Sequence, residues 1–165
     1  MENVLKKICF LIQDYLNLKD NEIYIYNNKF FQSKEKGLNV CVGCNDSTVI
    51  ANNNTHKEEN EKYIEILETI IRSNIFINIY SYDNTAIREK EKIFFALNCD
   101  KAQEIQIKNN FKIFKISNNF ISSPELDGTK VLNRFILNFQ VIYKVGDVRE
   151  VSYFDKFKNL LIKNN

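Results

Sequence analysis

The chain has 165 residues, of which 44% are hydrophobic and 13% aromatic, so it can bury the core of one domain, and wholesale disorder is excluded. Its 23 basic and 21 acidic residues leave a formal net charge of +2, which lacks the strongly basic character of a dedicated nucleic-acid-binding domain. The single His and the four scattered Gly exclude most catalytic constellations and a phosphate-binding glycine loop. We therefore expect no catalytic residue, no cofactor and no bound metal.

The N-terminal stretch predicts an amphipathic helix over residues 2–18. Apolar residues recur there at helical spacing, namely Val4, Leu5, Ile8, Leu11, Ile12, Tyr15 and Leu16. The stretch does not resemble a signal peptide, because Glu2 precedes the lysines and no small-residue cleavage site follows. No apolar run in the chain approaches the length of about 18 residues that a membrane span needs. We expect the chain to stay in the cytoplasm where it is made, with its cysteines as thiols and with Cys9 and Cys99 in the core.

The next segments indicate short strands followed by a loop. Residues 23–31 are typical of two extended arms around an Asn27-Asn28 turn, and residues 38–44 predict another strand. Residues 45–60 then turn polar and rich in Asn, which predicts a polar loop at about 45–60 that contains the only His, His56.

Residues 61–73 are ambiguous between helix and strand. The apolar residues Tyr63, Ile64, Ile66, Leu67, Ile70 and Ile71 fit helical spacing, and periodicity alone favours a helix. The β-branched Ile and Thr equally suit a strand. On a helix, Glu61, Glu65 and Glu68 would share a solvated acidic face.

The middle of the chain predicts a strand, two helices and a strand. Residues 75–82 form the strand, with Ile75, Ile77 and Ile79 on one side. Asp83-Asn84-Thr85 has the composition of a helix N-terminus, and a helix over 85–98 would bury Ile87, Ile93, Phe94 and Leu97. A short helix over 100–107 and a strand over 111–116 follow.

The last third predicts a loop and a long strand. Residues 117–130 indicate a connecting loop, and residues 134–145 alternate as a strand. We expect a turn at Gly146-Asp147 and an extended segment over 148–154. The prediction is one α+β domain over 1–165, with a mixed or antiparallel sheet, helices packed on one face and a C-terminal extension at about 148–165.

Cys41-Val42-Gly43-Cys44 is the sharpest local motif. A thioredoxin-like site needs such a pair at the start of a helix, and the residues after Cys44 do not predict one. A structural zinc site needs four ligands, and only Cys9, Cys99 and His56 remain to complete it. An ordinary strand with two small residues is favoured over both alternatives.

Lysines interleaved with aromatic residues, as over 111–115 and 153–158, suggest a nucleic-acid-stacking sheet as an alternative function. Alternation would place Lys112 and Lys115 on different strand faces, so an amphipathic strand is favoured. A small nucleic-acid-binding or regulatory module is retained as the runner-up function.

The layout over residues 61–157 resembles the neck or tail terminator (collar) proteins of contractile phages and phage-tail-like bacteriocins. The resemblance is carried by Lys62–Ile66, by the strand ending in Tyr80-Ser81, by the helix running through Phe94–Leu97, by the strand Lys112–Ile116 and by the final strand that opens with Arg134. In such proteins the Tyr-Ile-Glu-Ile stretch corresponds to a strand, so the resemblance favours a strand for residues 61–73.

The resemblance implies a tail-terminator-like fold and a structural function. Such proteins form rings, expected here to be hexamers, that bind the tail tube and sheath and end their polymerisation. The chain would then join a phage or phage-tail-like particle, without a small-molecule substrate or a membrane, and nucleic acid is disfavoured as a partner. Our candidate interface residues are His56, Lys57, Arg88, Pro124, Arg134, Arg149 and Phe154.

Overall fold

The computed structural model describes residues 1–26, 37–59 and 62–151 and shows one α+β domain. The described residues form three helices: α1 (Glu2–Leu16), α2 (Thr85–Asn98) and α3 (Asp100–Lys108). They also form seven strands: β1 (Ile23–Ile25), β2 (Asn39–Glu59), β3 (Lys62–Ser81), β4 (Phe111–Phe114), β5 (Ile121–Ser122), β6 (Glu125–Asp127) and β7 (Lys130–Val151). The predicted α+β class is therefore confirmed.

The strands form one open, mixed sheet in the order β1-β2-β3-β7-β4. β1 runs parallel to β2, and β2, β3, β7 and β4 follow one another antiparallel. β5 and β6 also pair with β7, on the stretch that precedes its pairing with β4. The longest pairings in the sheet are those of β3 with β2 and with β7. β3 pairs with β7 without a break from Tyr63 to Ser81.

One face of the sheet carries the hydrophobic core, and we call it the helix face. Strand alternation places Ile75, Ile77 and Ile79 on this face, opposite Phe139, Leu137 and Phe135 of β7. The three isoleucines are buried and belong to one cluster with residues of the helices, among them Ile8, Ile12, Ile93 and Leu97. The other face, which we call the open face, carries Phe76, Asn78 and Tyr80 on the same strand.

The helices begin and end close to the predicted positions. Asn17 ends α1 in the left-handed conformation, which Asn tolerates better than most residues, and its N–H donates to the carbonyl of Gln13. The Asp83 carboxylate accepts from the N–H of Thr85 at 2.8 Å at the start of α2. A hydrogen bond with the Thr85 side chain, together with this backbone hydrogen bond, lowers the pKa of Asp83.

The sheet extends well beyond the helices as a three-stranded ribbon. This ribbon, which we call the arm, consists of residues 45–59 of β2, 62–74 of β3 and 140–151 of β7. The side chains of 45–57 and 144–150 are exposed, whereas those of 63–72 on the central strand are half-buried. The arm therefore has both of its faces open over most of its length.

The predicted polar loop at about 45–60 is wrong, because β2 continues through Glu59. Its Asn and Thr side chains lie on an exposed outer strand, where polar groups stay solvated while the backbone pairs with β3. Two irregularities, at Asn45 and Ile50, interrupt the pairing. The polar composition of residues 45–59 therefore reflects the exposure of an outer strand and does not indicate an irregular backbone.

Residues 62–73 are part of β3, so the strand suggested by the resemblance is confirmed and the helix favoured by periodicity is wrong. β3 has a strand on each side, and its side chains are half-buried on both faces, so apolar residues occur in adjacent pairs. Such pairs also fit helical spacing. Alternation also separates Glu65 and Glu68, which lie on opposite faces of the arm and do not share one face.

Other expectations also need correction. No turn occurs at Gly146-Asp147, because β7 continues through both residues opposite Glu68 and Leu67. The 117–130 loop contains β5 and β6, and Gly128 (φ 62°) turns the chain from β6 into β7. Ile87 is exposed and Phe94 is half-buried, since α2 turns its alanines 86 and 96 to the core together with Ile93 and Leu97.

Two other predictions fall partly outside the described residues. Residues 23–25 form β1 in parallel with β2, and the turn at Asn27-Asn28 lies outside the described ranges. Of the C-terminal extension at about 148–165, residues 148–151 continue β7, and the remainder lies outside as well.

Candidate functional site

The arm brings together three of the predicted interface residues, His56, Lys57 and Arg149. On the helix face of the arm, His56 of β2 and Arg149 of β7 both lie opposite Glu65 of the central strand. The Arg149 Nε lies 3.1 Å from Glu65 Oε2, and the His56 Nε2 lies 3.9 Å from Glu65 Oε1. Asn54 donates from Nδ2 to the same Oε1 at 2.7 Å, so one carboxylate links all three strands.

Aromatic stacking supports this polar cluster. The His56 and Tyr63 rings are stacked, with centroids 5.7 Å apart and planes inclined by 26°. The Glu65 side chain is only 17% exposed, whereas the His56 and Arg149 side chains are 44% and 56% exposed. The Glu65 carboxylate on the central strand is therefore largely shielded from solvent, whereas its partners His56 and Arg149 on the outer strands are more exposed.

The open face of the arm combines ion pairing with aliphatic surface. Lys144 of β7 and Glu68 of β3 form an ion pair, with Nζ 2.5 Å from Oε1. Ile64, Ile66 and Ile70 of the central strand lie on this face and are half-buried. Lys57 of β2 is exposed and lies directly opposite Ile64.

Side-chain amides fasten the base of the arm on the open face. Asn74 of β3 donates from Nδ2 to the Asp46 carboxylate of β2 at 2.6 Å. Gln140 of β7 donates from Nε2 to Asn74 Oδ1 at 2.8 Å. These two hydrogen bonds link three strands, so polar contacts anchor the arm where the helix-covered core ends.

Beyond residue 143 of β7, and over residues 45–59 of β2, the outer edges of the arm have no neighbouring strand among the described residues. β1 pairs with β2 only over residues 40–42, and β4 pairs with β7 only over residues 140–143. We name residues 51–57 the β2 edge and residues 144–150 the β7 edge. Each edge presents backbone N–H and C=O groups on its outer side, and such a row can pair with an added strand.

The other predicted interface residues lie elsewhere. Arg88 is exposed on α2, and Pro124 is exposed between β5 and β6. Arg134 of β7 donates to Asn78 Oδ1 from Nε at 3.3 Å and from Nη2 at 3.2 Å, and its Nη1 pairs with Glu125. Phe154 lies outside the described residues. The guanidinium of Arg134 thus has partners within its own chain.

Cys41 and Cys44 lie within β2, which continues past both, so the motif does not stand at the start of a helix. Cys41 is buried on the open face with Tyr80 and Leu132, and burial raises the pKa of its thiol to about 11. Cys9 and Cys99 are predicted to lie in the core, and both are half-buried. Burial raises the pKa of the Cys9 thiol to about 12. Raised thiol pKa values are the opposite of what a reactive cysteine needs.

The described ranges contain no group of three or more His, Cys, Asp or Glu residues that could hold a metal ion. No helix within these ranges has the length and apolar character to cross a lipid bilayer. What the arm offers chemically is surface: two outer edges, exposed charges and half-buried aliphatic side chains.

Sequence reasoning missed the residues that organise the arm. Glu65 and Tyr63 lie in the segment whose apolar spacing fits both helix and strand, and no local pattern indicates the pairing of Glu68 with Lys144. The available signal was the run of β-branched residues over 62–71, which suits a central strand.

The fold and its surfaces define a class: a single-domain α+β protein with an open mixed sheet, helices packed on it and a projecting antiparallel arm. No model of a known protein family matches the chain, and no curated protein matches it.

Proposed function

We propose that this chain is a structural subunit that forms a closed ring with copies of itself and ends the tube and sheath of a phage tail or phage-tail-like particle. The observation that carries the proposal is the arm, in which the β2 edge (51–57) and the β7 edge (144–150) have no neighbouring strand among the described residues and both faces are open over most of its length. The resemblance of residues 61–157 to tail terminators supplies the kind of particle.

The arm supports assembly because a monomer leaves it incompletely buried. Ile64, Ile66 and Ile70 are only half-buried, and Val148 of the outer strand is 64% exposed. Aliphatic side chains in a solvated ribbon are stabilised when a neighbour covers them. Uncovered strand edges likewise favour pairing with another chain.

The proposed function requires no catalytic group, since a terminator acts by occupying the last ring of a polymer. A heterologous interface forms a closed ring when the rotation that relates one subunit to the next returns to the first subunit after a whole number of copies. The ring is expected to be a hexamer, as the resemblance implies, with the tube and sheath proteins as its partners.

Two measurements test the proposal. Size-exclusion chromatography with light scattering, followed by negative-stain microscopy, is expected to show a closed ring, either alone or on the ends of purified tails lacking their terminator. Genes for sheath, tube and baseplate proteins are expected beside the gene for this chain. A chain that stays monomeric in the presence of such tails would contradict the proposal.

A counter-test addresses the nucleic-acid-binding alternative. Filter binding to DNA and RNA at low salt is expected to show no retention by this near-neutral chain. Retention that weakens steeply with salt would favour the alternative, because phosphate contacts release counterions.

A further inference from the structure

The two outer edges of the arm match each other within one molecule. β2 and β7 both run antiparallel to β3, so the β2 edge and the β7 edge point in the same direction. A neighbour placed side by side, with its strands in the same orientation, would therefore set its β7 edge parallel to the β2 edge of the first copy.

We propose that the β2 edge of each copy pairs in parallel with the β7 edge of the next copy, so that the arms form one continuous sheet around the ring. This inference rests on the proposed function and names the surfaces through which its ring closes. The occupant of each edge is a second copy of this chain.

Head-to-tail pairing covers what two-fold pairing leaves open. Two copies joined through their β2 edges would leave both β7 edges uncovered, and the reverse holds for β7 joined to β7. Only the heterologous arrangement covers both edges of every copy with a single kind of interface, and closure into a ring removes the last uncovered edge.

The charges of the open face agree with a neighbour that is not shifted along the strands. Lys57 of the β2 edge and Glu150 of the β7 edge both lie opposite Ile64, so they stand at the same height and on the same face. Side-by-side copies would thus place the ammonium of Lys57 next to the carboxylate of Glu150 in the next copy. Cross-strand pairs of opposite charge stabilise a sheet, and like charges destabilise it.

The other positions of this register are compatible with close approach. One level further along the open face, Thr55 and Val148 both lie opposite Ile66. At the level of Glu68, the two edges present Asn53 and Gly146, so no bulky pair meets there.

The helix face of this register places an amide beside a carboxylate. Asn54 would stand beside Asp147, because both lie opposite Leu67, and the amide can donate to the carboxylate. His56 would stand beside Arg149 of the next copy, and both lie opposite Glu65 within their own chain. The unshifted register therefore contains the attractive pair of Lys57 and Glu150 and the amide–carboxylate contact of Asn54 and Asp147.

Charge reversal at the two edges tests the inference. Lys57→Glu alone and Glu150→Lys alone are each expected to raise the concentration at half-assembly about tenfold, because attraction becomes repulsion at every interface. An equimolar mixture of the two variants is expected to assemble as the unmodified chain does, because alternating copies restore opposite charges at each contact. Sedimentation velocity measures the assembly, and circular dichroism verifies that each variant is folded.

A matched control uses Lys6→Glu, the same change of charge at an exposed lysine on α1. It is expected to leave assembly unchanged. If both edge variants assemble as this control does while the unmodified chain forms rings, the inference is overturned and the proposed function stands.

Two other outcomes are equally decisive. If only Glu150→Lys disrupts assembly and mixing does not restore it, the copies pair by two-fold symmetry through their β7 edges, which overturns the inference. If the unmodified chain stays monomeric with purified tails, the proposed function and this inference both fall.

Discussion

The ring of Phe76 covers Gly43 on the neighbouring strand so closely that a Cβ atom at Gly43 would overlap it. The two residues are directly paired between β2 and β3, and the Tyr26 ring meets the Phe76 ring edge-on with centroids 5.5 Å apart. The glycine between Cys41 and Cys44 is therefore explained by packing on the open face.

Replacing this glycine should destabilise the fold. We expect Gly43→Ala to lower the free energy of unfolding by about 1–3 kcal/mol, because the Phe76 ring must move out of its packed position. Urea unfolding measures the change, and Phe76→Leu in the same chain should recover part of it. The control is Gly146→Ala, where a Cβ would meet only the Leu67 carbonyl oxygen at 3.4 Å. We expect that control to be neutral or stabilising by up to about 1 kcal/mol, and equal losses at both glycines would contradict the packing argument.

Isoleucines on β3 should differ in cost between the core and the arm. Ile77 is fully buried beneath the helices, so Ile77→Ala is expected to cost about 2–5 kcal/mol. Ile66 is half-buried in the arm, and Ile66→Ala is expected to cost about 1 kcal/mol or less in the monomer. Urea unfolding below the assembly concentration measures both. A loss at Ile66 as large as that at Ile77 would mean that the arm is covered in the monomer.

The fork of Arg134 should contribute to stability in a way that Lys cannot replace. Its Nε and Nη2 atoms both donate to Asn78 Oδ1, and its Nη1 pairs with Glu125. We expect Arg134→Lys to cost about 1 kcal/mol in urea unfolding, because a single ammonium does not reproduce the planar set of donors. Arg88→Lys, at an exposed position on α2, should stay within about 0.5 kcal/mol. Similar values for the two variants would refute a specific role of the fork.

Alkaline pH should weaken the fold. Burial raises the pKa of Cys41 to about 11 and that of Cys9 to about 12, both from an ordinary value of 9.0. Because the folded state favours the protonated thiols, their stabilisation is complete below pH 9.0 and is lost as the pH rises towards the folded-state values. The phenol pKa values of Tyr24 and Tyr80 are raised too, mainly by burial, and act in the same direction. Urea unfolding from about pH 8 to about pH 11 should show a falling free energy, and a flat profile would contradict this assignment.

Thiol alkylation should separate the two cysteines of the C-x-x-C motif. Cys41 is buried with a raised pKa, whereas Cys44 is partly exposed. In the folded chain at mildly alkaline pH, mass spectrometry should find Cys44 alkylated well before Cys41, because reaction requires an accessible thiolate. Urea should remove the difference, and preferential modification of Cys41 in the folded chain would instead indicate a reactive thiol.

Local sequence patterns predicted the elements that have one buried face. The apolar spacing over residues 2–18 predicted α1, and alternation predicted both the core-facing isoleucines of β3 and the central part of β7. In each case burial on one side imposes a period that a single segment displays.

The arm could not be predicted in this way. Its central strand has a strand on each side and is half-buried on both faces, so the apolar Ile66 and Leu67 occupy adjacent positions that also fit a helix. Its outer strand β2 is exposed, so the polar stretch that contains Asn52 and Asn54 is typical of a loop. Gly146 is likewise typical of a turn, although β7 continues through it. Two of the predicted interface residues, His56 and Arg149, both contact Glu65. Only the pairing of distant strands shows this.

The sequence by itself determined a single α+β domain, its helices and its main core strands, because these depend on local periodicity and composition. Only the tertiary structure decided that 45–59, 62–74 and 140–151 form one ribbon, because backbone pairing between distant segments leaves no period in either one. The same pairing places Lys57 and Glu150 on opposite edges of the arm, both opposite Ile64 of β3. This relationship depends on the register of both outer strands against β3.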